Sequence, residues 1–244
     1  MIEVTDHDGV AILSLNHGPV NALDLEILTE LPTALARVAD ARAVVLTGEG
    51  RCFSAGVDLK RVIDGGAGYV QEFLPALSTA AFAWFTHPKP TVAAVNGHAL
   101  AGGCVLGAAA DVTLMSGGTI GLTELGAGVP FPTVPLEIMR YACAAVSSLV
   151  LTAKTIGLAE AVSIGLVDQA VIPEELMSTA LKHARKLAAV PADVYALSKK
   201  QLQQPAVQRI ETLREQDDPG VTEIWGSPAT RDFLAEFMRS LGRK

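Results

Sequence analysis

Two short apolar runs, AVVLTG at 43–48 and TVAAV at 91–95, each lead into a glycine-bearing segment, FSAGVDL at Phe53–Leu59 and NGHALAGGC at Asn96–Cys104. Runs of β-branched and small apolar residues bounded by glycine read as short strands. Their recurrence in the order strand, loop, helix calls for parallel pairing with crossover helices, although the pattern alone does not separate a flat sheet from a spiral of turns. The glycines place small residues where a backbone must approach a ligand closely. Two peptide N–H groups from separate loops, aimed at one carbonyl oxygen, make an oxyanion hole, worth about 3–4 kcal/mol per donor in the transition state.

The remaining elements fit around this pair. Val10, Ile12, Leu13 and Leu15, closed by Asn16 to Pro19, predict an early strand and turn. Asp24 is placed to cap a helix whose apolar face is Leu25, Leu28, Leu31, Leu35 and Val38. Pro32 falls inside that helix, where it costs about 3 kcal/mol, so a kink or a restart is expected. An irregular stretch near Asp64 to Gly68 should precede a helix from about Tyr69 to Phe85, ended by Pro88 and Pro90. Gly102 and Gly103 open the next helix, and a strand follows at 111–115. From Pro135 onward helical patterns dominate, interrupted by a strand at 167–172. We read a single α/β domain with a core over 1–190 and a helical region over 191–244, and see no internal sequence repeat or linker that would divide it.

Composition excludes several classes of function. A net charge of −7 argues against broad nucleic-acid binding, which needs clustered Lys and Arg. Cys52, Cys104 and Cys143 are widely spaced and form no CxxC pair, so neither a disulfide framework nor a Cys-rich metal site is expected and a reducing cytoplasm is the default. The opening MIEVTDHDGVAILSLN has acidic residues where a signal peptide would carry basic ones. Gly, Pro or charge breaks every apolar stretch before the ~20 residues a membrane span requires. Neither glycine segment fits GxGxxG in a βαβ context or the GxxxxGK[ST] phosphate loop.

The two glycine segments, with NALDLEILTELPTAL at 21–35, GLTELG at 121–126 and AEAVSIGLVDQAVIP at 159–173, resemble the crotonase superfamily, also called the enoyl-CoA hydratase/isomerase family, over nearly the whole chain. The resemblance implies a crotonase-like (ClpP/crotonase) spiral of ββα units with a C-terminal helical trimerisation region, and a homotrimer or homohexamer. It implies an acyl-CoA thioester as substrate, coenzyme A being part of that substrate and no separate cofactor being needed. Carried over residue by residue, the hole donors are the N–H groups of Val57 and Gly102, and Glu124 is the acid/base. CoA should lie across the 18–23 turn and the 54–60 loop, with Val20, Ala22, Ala55 and Leu59 as contacts and Lys60 near a phosphate.

The departure is at position 105. Hydratases of the family carry a second glutamate three residues after the hole glycine, where two carboxylates activate one water, and here that residue is Val105. A single glutamate suffices to move a proton from C2 of a 3-enoyl thioester to C4, which resembles the family's enoyl-CoA isomerases. The alternatives are a 2-enoyl-CoA hydratase with a replacement carboxylate, such as Glu137, or a catalytically idle acyl-CoA-binding partner of another enzyme. Next to the site, Phe131 and Pro132 are equally expected as acyl-pocket wall or as core, while His98 and Cys104 read as structural. Asp58 is expected to fix its own loop, and Ser54 lacks the GxSxG setting of a hydrolase nucleophile.

Overall fold

In the computed structural model, which describes residues 1–241, the chain opens with an antiparallel hairpin of β1 (Ile2–His7) and β2 (Val10–Leu15). Helix α1 (Leu25–Arg37) follows, capped as expected by the Asp24 side chain, which accepts the N–H of Ile27 at 3.1 Å. Of the kink or restart expected at Pro32 there is no restart, and the helix is continuous from Leu25 to Arg37. Ile27, Leu28 and Leu31 before the proline and Ala34 and Leu35 after it share one buried face, and packing of that face outweighs the lost backbone bond.

Three ββα units come next. The first is β3 (Ala43–Gly48), β4 (Cys52–Ser54) and α2 (Leu59–Phe85); the second is β5 (Thr91–Val95), β6 (His98–Leu100) and α3 (Gly102–Ala108); the third is β7 (Val112–Met115), β8 (Thr119–Gly121) and α4 (Thr133–Ala142). Each unit sends its first strand into one sheet and its second into another, which decides for a spiral over a flat sheet. After α5 (Val146–Leu151), β9 (Thr155–Gly157) closes the smaller sheet in the order β4-β6-β8-β9. Then come α6 (Leu158–Ser163) and β10 (Gln169–Ala170), the last strand of the larger sheet, β1-β2-β3-β5-β7-β10. Helices α7 (Leu176–Leu187), α8 (Ala192–Gly226) and α9 (Pro228–Leu241) complete the chain.

The strands at the centre of the larger sheet are apolar at nearly every position because both faces are covered. Val44, Leu46, Ala93 and Val95 join the main core with α1, α2 and α3, while Ala43, Val45, Val92 and Ala94 pack with Leu176, Ala180, Leu181 and Ala184 of α7. Helix α2 begins at Leu59, ten residues before the expected start. Asp58 accepts the N–H of Arg61 at 3.1 Å and so caps the helix, and Gly66 breaks it at φ +57°. Gly65, Gly66 and Gly68 make this stretch look irregular in sequence, but Val62 and Val70 are buried on either side of the break and hold both halves. The strand expected at 167–172 is reduced to Gln169–Ala170, an edge pairing with Leu114 and Met115.

The C-terminal helical region packs back onto α2 and α4, its last three residues lying outside the described ones. A buried ion pair fastens it, Lys199 Nζ lying 2.9 Å from the Asp111 carboxylate, to which Tyr195 also donates at 3.0 Å. Burial lowers the Lys199 pKa against the opposing pull of Asp111. Gln203 adds a bond to the carbonyl of Phe85 at 2.7 Å.

Candidate active site

Short strands inside the two glycine segments bring their loops together. β4 and β6 pair in parallel, Cys52 with His98 and Ser54 with Ala99, so the residues that leave the two strands run side by side. Three-residue strands carry no readable alternation, which is why the sequence shows these segments only as loops. Gly56 (φ +82°) is the point of contact. A Cβ placed there would meet the carbonyl oxygen of Leu100 at 2.5 Å, the Cβ of Ala101 at 2.8 Å and the nitrogen of Gly102 at 3.3 Å. The amide after Gly56 and the amide of Gly102 therefore lie across one narrow contact. Neither the Val57 nor the Gly102 N–H has an acceptor among the described residues, although their neighbours do: Gly56 donates to Ser54 Oγ, Asp58 to Leu23 O and Ala101 to Gly121 O.

One residue of this arrangement was not singled out from the sequence. Ala101 holds φ +51° and ψ −123°, a conformation an L-residue with a Cβ rarely adopts and that costs on the order of 1–3 kcal/mol. Its peptide is fixed by Ala101 N–H to Gly121 O at 2.8 Å and by Val105 N–H to Ala101 O at 3.1 Å. That strain turns the chain into α3 and leaves the Gly102 N–H unpaired. At Gly102 a Cβ would strike Leu23 Cδ1 at 2.8 Å, so the absent side chain is what keeps the approach open.

Glu124 follows β8, the strand that pairs with β6 through Ala99–Ile120 and Leu100–Gly121. The same pairing that leads into Gly102 thus sets the strand leading into Glu124 alongside β6. The side chain is buried, and its Oε2 has no hydrogen-bond partner. Burial pushes its pKa up to about 8, against weaker opposition from the backbone of Glu124 and Thr123. The Cys104 thiol on α3, fully buried, is pushed well above its usual value by burial first and by the Glu124 charge second.

The other candidates separate cleanly. Val105 is buried and offers no polar atom. Glu137 is buried but committed, with Arg140 Nη1 at 2.8 Å and Arg209 Nε at 2.5 Å, so it fastens α4 to α8 and supplies no second base. His98 is exposed and bonded to Thr119 Oγ1 at 2.9 Å, as its structural reading requires. Ser54 donates to Asn21 O at 2.7 Å and so pins a loop. Phe131 is buried in the main core, and Pro132 sits at the start of α4.

The structure brings the 18–23 turn and the 54–60 loop together. Ala55 N–H donates to Val20 O at 2.9 Å and Leu23 N–H to Gly56 O at 2.8 Å. Val20 is 41% exposed, Ala22, Ala55 and Leu59 are half-buried, and Lys60 lies on the surface paired with Asp64 at 2.6 Å. Asn21, which escaped the sequence reading, and Asp24, read there only as a helix cap, hold this region. Asn21, at φ +50°, donates to Cys52 O at 2.8 Å and Glu49 O at 3.1 Å. Asp24, beyond capping α1, lies 2.6 Å from His17 Nε2 and within reach of Arg61. Burial alone would raise its carboxyl, but His17, the Ile27 N–H and Arg61 outweigh that and hold it below its usual value.

A model of the family described as enoyl-CoA hydratase/isomerase matches residues 5–228. The chain belongs to that family. Among enoyl-CoA hydratase/isomerase relatives, the chain is 30% identical to the human protein named enoyl-CoA delta isomerase 1, mitochondrial, over 99% of this chain and 83% of that one. It is 37% identical to a protein of Thermus thermophilus named putative enoyl-CoA hydratase, over 73% of this chain and 74% of the other. The crystal structure of human mitochondrial delta3-delta2-enoyl-CoA isomerase superposes with a TM-score of 0.93 at 26% identity, covering 99% of this chain and 98% of that one. The crotonase-like spiral expected from sequence is therefore the fold, and acyl-CoA chemistry is the theme of the family.

Proposed function

We propose that this protein is an enoyl-CoA isomerase that moves a double bond from the 3,4 to the 2,3 position of an acyl-CoA thioester. One observation carries the reading. Three carboxylates are buried among the described residues, Asp24, Glu124 and Glu137, and only Glu124 is without a charged partner. Hydration by two carboxylates has no second carboxylate to use, while a proton shuttle needs one.

In this mechanism the Glu124 carboxylate takes a proton from C2. The electron pair left behind spreads over the thioester oxygen and across C3 and C4, and the Val57 and Gly102 N–H groups hold the charge that reaches the oxygen. Glu124 then returns the proton to C4, leaving the double bond between C2 and C3. Atoms balance with no water or co-reactant. A carboxyl near pKa 8 is suited to both halves, because it is neither too weak a base to take the proton nor too weak an acid to return it.

Product analysis by mass, with a 3-enoyl-CoA and separately a 2-enoyl-CoA of medium length, tests this directly. Isomerisation of the first without water addition to the second is the expected outcome. A product heavier by one water from the second substrate would establish a hydratase, the activity named for the Thermus relative, and tight binding without exchange of the C2 hydrogens in heavy water would establish an idle binding protein.

The 18–23 turn and the 54–60 loop are proposed to hold CoA, with Val20, Ala22, Ala55 and Leu59 against the adenine and pantetheine. Because Asp64 already occupies the Lys60 amine on an exposed face, Lys60→Ala is expected to change KM for a CoA ester by no more than about threefold. A larger rise would make Lys60 a principal phosphate ligand.

We also propose a homotrimer or a pair of trimers, in a reducing cytoplasm. Val194, Leu197 and Leu202 on α8 are 52%, 59% and 67% exposed, apolar side chains that self-association would cover. All three cysteines are free. Sedimentation as a monomer at working concentration would refute the assembly.

A further inference from the structure

The segment that follows Glu124 is held from outside by the C-terminal helices at three successive points. Phe233 of α9 lies against Gly128, where a Cβ, at φ +77°, would come within 2.6 Å of the phenyl ring. Trp225 near the end of α8 donates its indole N–H to Pro130 O at 2.8 Å. Asp218 of α8 accepts both the N–H of Thr133 at 2.9 Å and its hydroxyl at 2.7 Å. Gly128 belongs to the turn that Glu124 begins, in which Glu124 O accepts the N–H groups of Ala127 and Val129, both at 3.0 Å. No strand ladder fixes residues 124–131; the turn rests on its own hydrogen bonds, on the burial of Ala127, Val129 and Phe131 in the main core, and on these contacts from outside.

The same tryptophan continues into α2. Phe73 lies 6.3 Å from Trp225 and Tyr69 stacks on Phe73 at 5.5 Å between ring centroids, and the Tyr69 hydroxyl accepts the N–H of Leu25 at 3.2 Å. One row of aromatic side chains therefore joins the Glu124 segment to the first turn of α1, next to the turn assigned to CoA.

We infer that Trp225 and Phe233 are positioning residues for Glu124, holding the 124–131 segment so that its carboxyl stays dry and aimed at the hole. The inference rests on the reading of Glu124 as the proton shuttle. A catalytic group must be held within about 0.5 Å of its productive place, and a displacement of about 1 Å costs on the order of 10²-fold in rate. The groups that the C-terminal helices set against the segment are two uncharged rings and an aspartate committed to Thr133. From α3, the Cys104 thiol is the titratable neighbour. Loosening the segment should therefore act on Glu124 through water entry rather than through a new charge.

Trp225→Phe removes the indole N–H and keeps an aromatic ring. Phe233→Ala removes a ring that is 51% exposed, which leaves the core intact if the first variant folds poorly. For each, kcat and KM on a 3-enoyl-CoA are measured from about pH 6 to 10, and the Glu124 carboxyl is titrated by carbon NMR with Glu124→Gln for assignment. The expected result is a fall in kcat of about tenfold with KM within about twofold, and a Glu124 midpoint nearer the ordinary carboxylate range. A merely structural role lowers the folded fraction and leaves that midpoint in place, so an unmoved midpoint in both variants overturns the inference. If the parent protein does not isomerise 3-enoyl-CoA and the midpoint still moves, the isomerase reading fails and the positioning role stands.

Discussion

Glu124→Gln is expected to lower kcat by about 10³-fold, within the span of about 10²–10⁴ that a positioned acid/base supplies, while KM for the CoA ester stays within about threefold. Glutamine keeps the shape and removes the ionisable carboxyl that takes and returns the proton, so the hole and the CoA contacts remain. The same substitution should make the protein more stable in alkali. In the folded chain Glu124 holds its proton up to about pH 8, whereas an ordinary glutamate releases it near 4.5. Between those values the folded state binds a proton that the unfolded state has lost, so the contribution of Glu124 to stability is fully present below pH 4.5 and drains away as pH rises through 8. Glutamine has no charge to bury, and its advantage over the parent should grow to the order of a few kcal/mol by about pH 9. Urea midpoints for both proteins at about pH 5 and pH 9 measure this. An advantage that is the same at both values would mean that the Glu124 carboxyl is not held protonated by the fold.

Gly56→Ala is expected to reduce kcat by about 10²–10³-fold, the loss associated with one hole donor. The added methyl would lie 2.5 Å from a carbonyl oxygen and 2.8 Å from Ala101 Cβ, and the backbone there has φ +82°. These neighbours are main chain and a short side chain with nowhere to swing, so the two loops must part. Parting them separates the Val57 and Gly102 amides, while the Ala55–Val20 bond that ties the CoA turn can persist. The loss should accordingly fall on kcat more than on binding of a saturated acyl-CoA, measured by calorimetry. Equal losses in both would mean that the loop as a whole had collapsed.

The features of the fold that were legible in sequence are those carried by long patterns or by strong local chemistry. The short strands at 43–48 and 91–95, the Asp24 cap and the helix opened by Gly102 stand where residue types place them. The uninterrupted passage through Pro32 was not legible, because it depends on what packs against α1. The early start of α2 was hidden by three glycines, whose low helix propensity is overridden by the burial of Val62 and Val70. At the site, Glu124, Val57 and Gly102 came from the resemblance together with the glycine pattern, and the structure sets their loops and strands beside one another. Ala101 gave no sign of its positive φ, since alanine is an ordinary residue in any sequence, and Trp225 and Phe233 act from about 100 residues away, beyond any local window. Glu137 was the opposite case, a plausible second base on paper whose commitment to Arg140 and Arg209 only the packing of α4 on α8 reveals.

The parallel pairing of Cys52–Ser54 with His98–Ala99 divides labour between two kinds of inheritance. In the proposed mechanism, charge stabilisation at the thioester oxygen comes from peptide groups, which every residue except proline possesses, so it does not depend on the identity of the side chains around it. Proton handling rests on single side chains such as Glu124 and on what stands at position 105. On that mechanism, substitution at those few places would redirect the reaction while the alignment of the two amides stays untouched. A backbone-built electrostatic site of this kind would leave the choice of chemistry to a handful of side chains, each replaceable without rebuilding the loops that hold the amides.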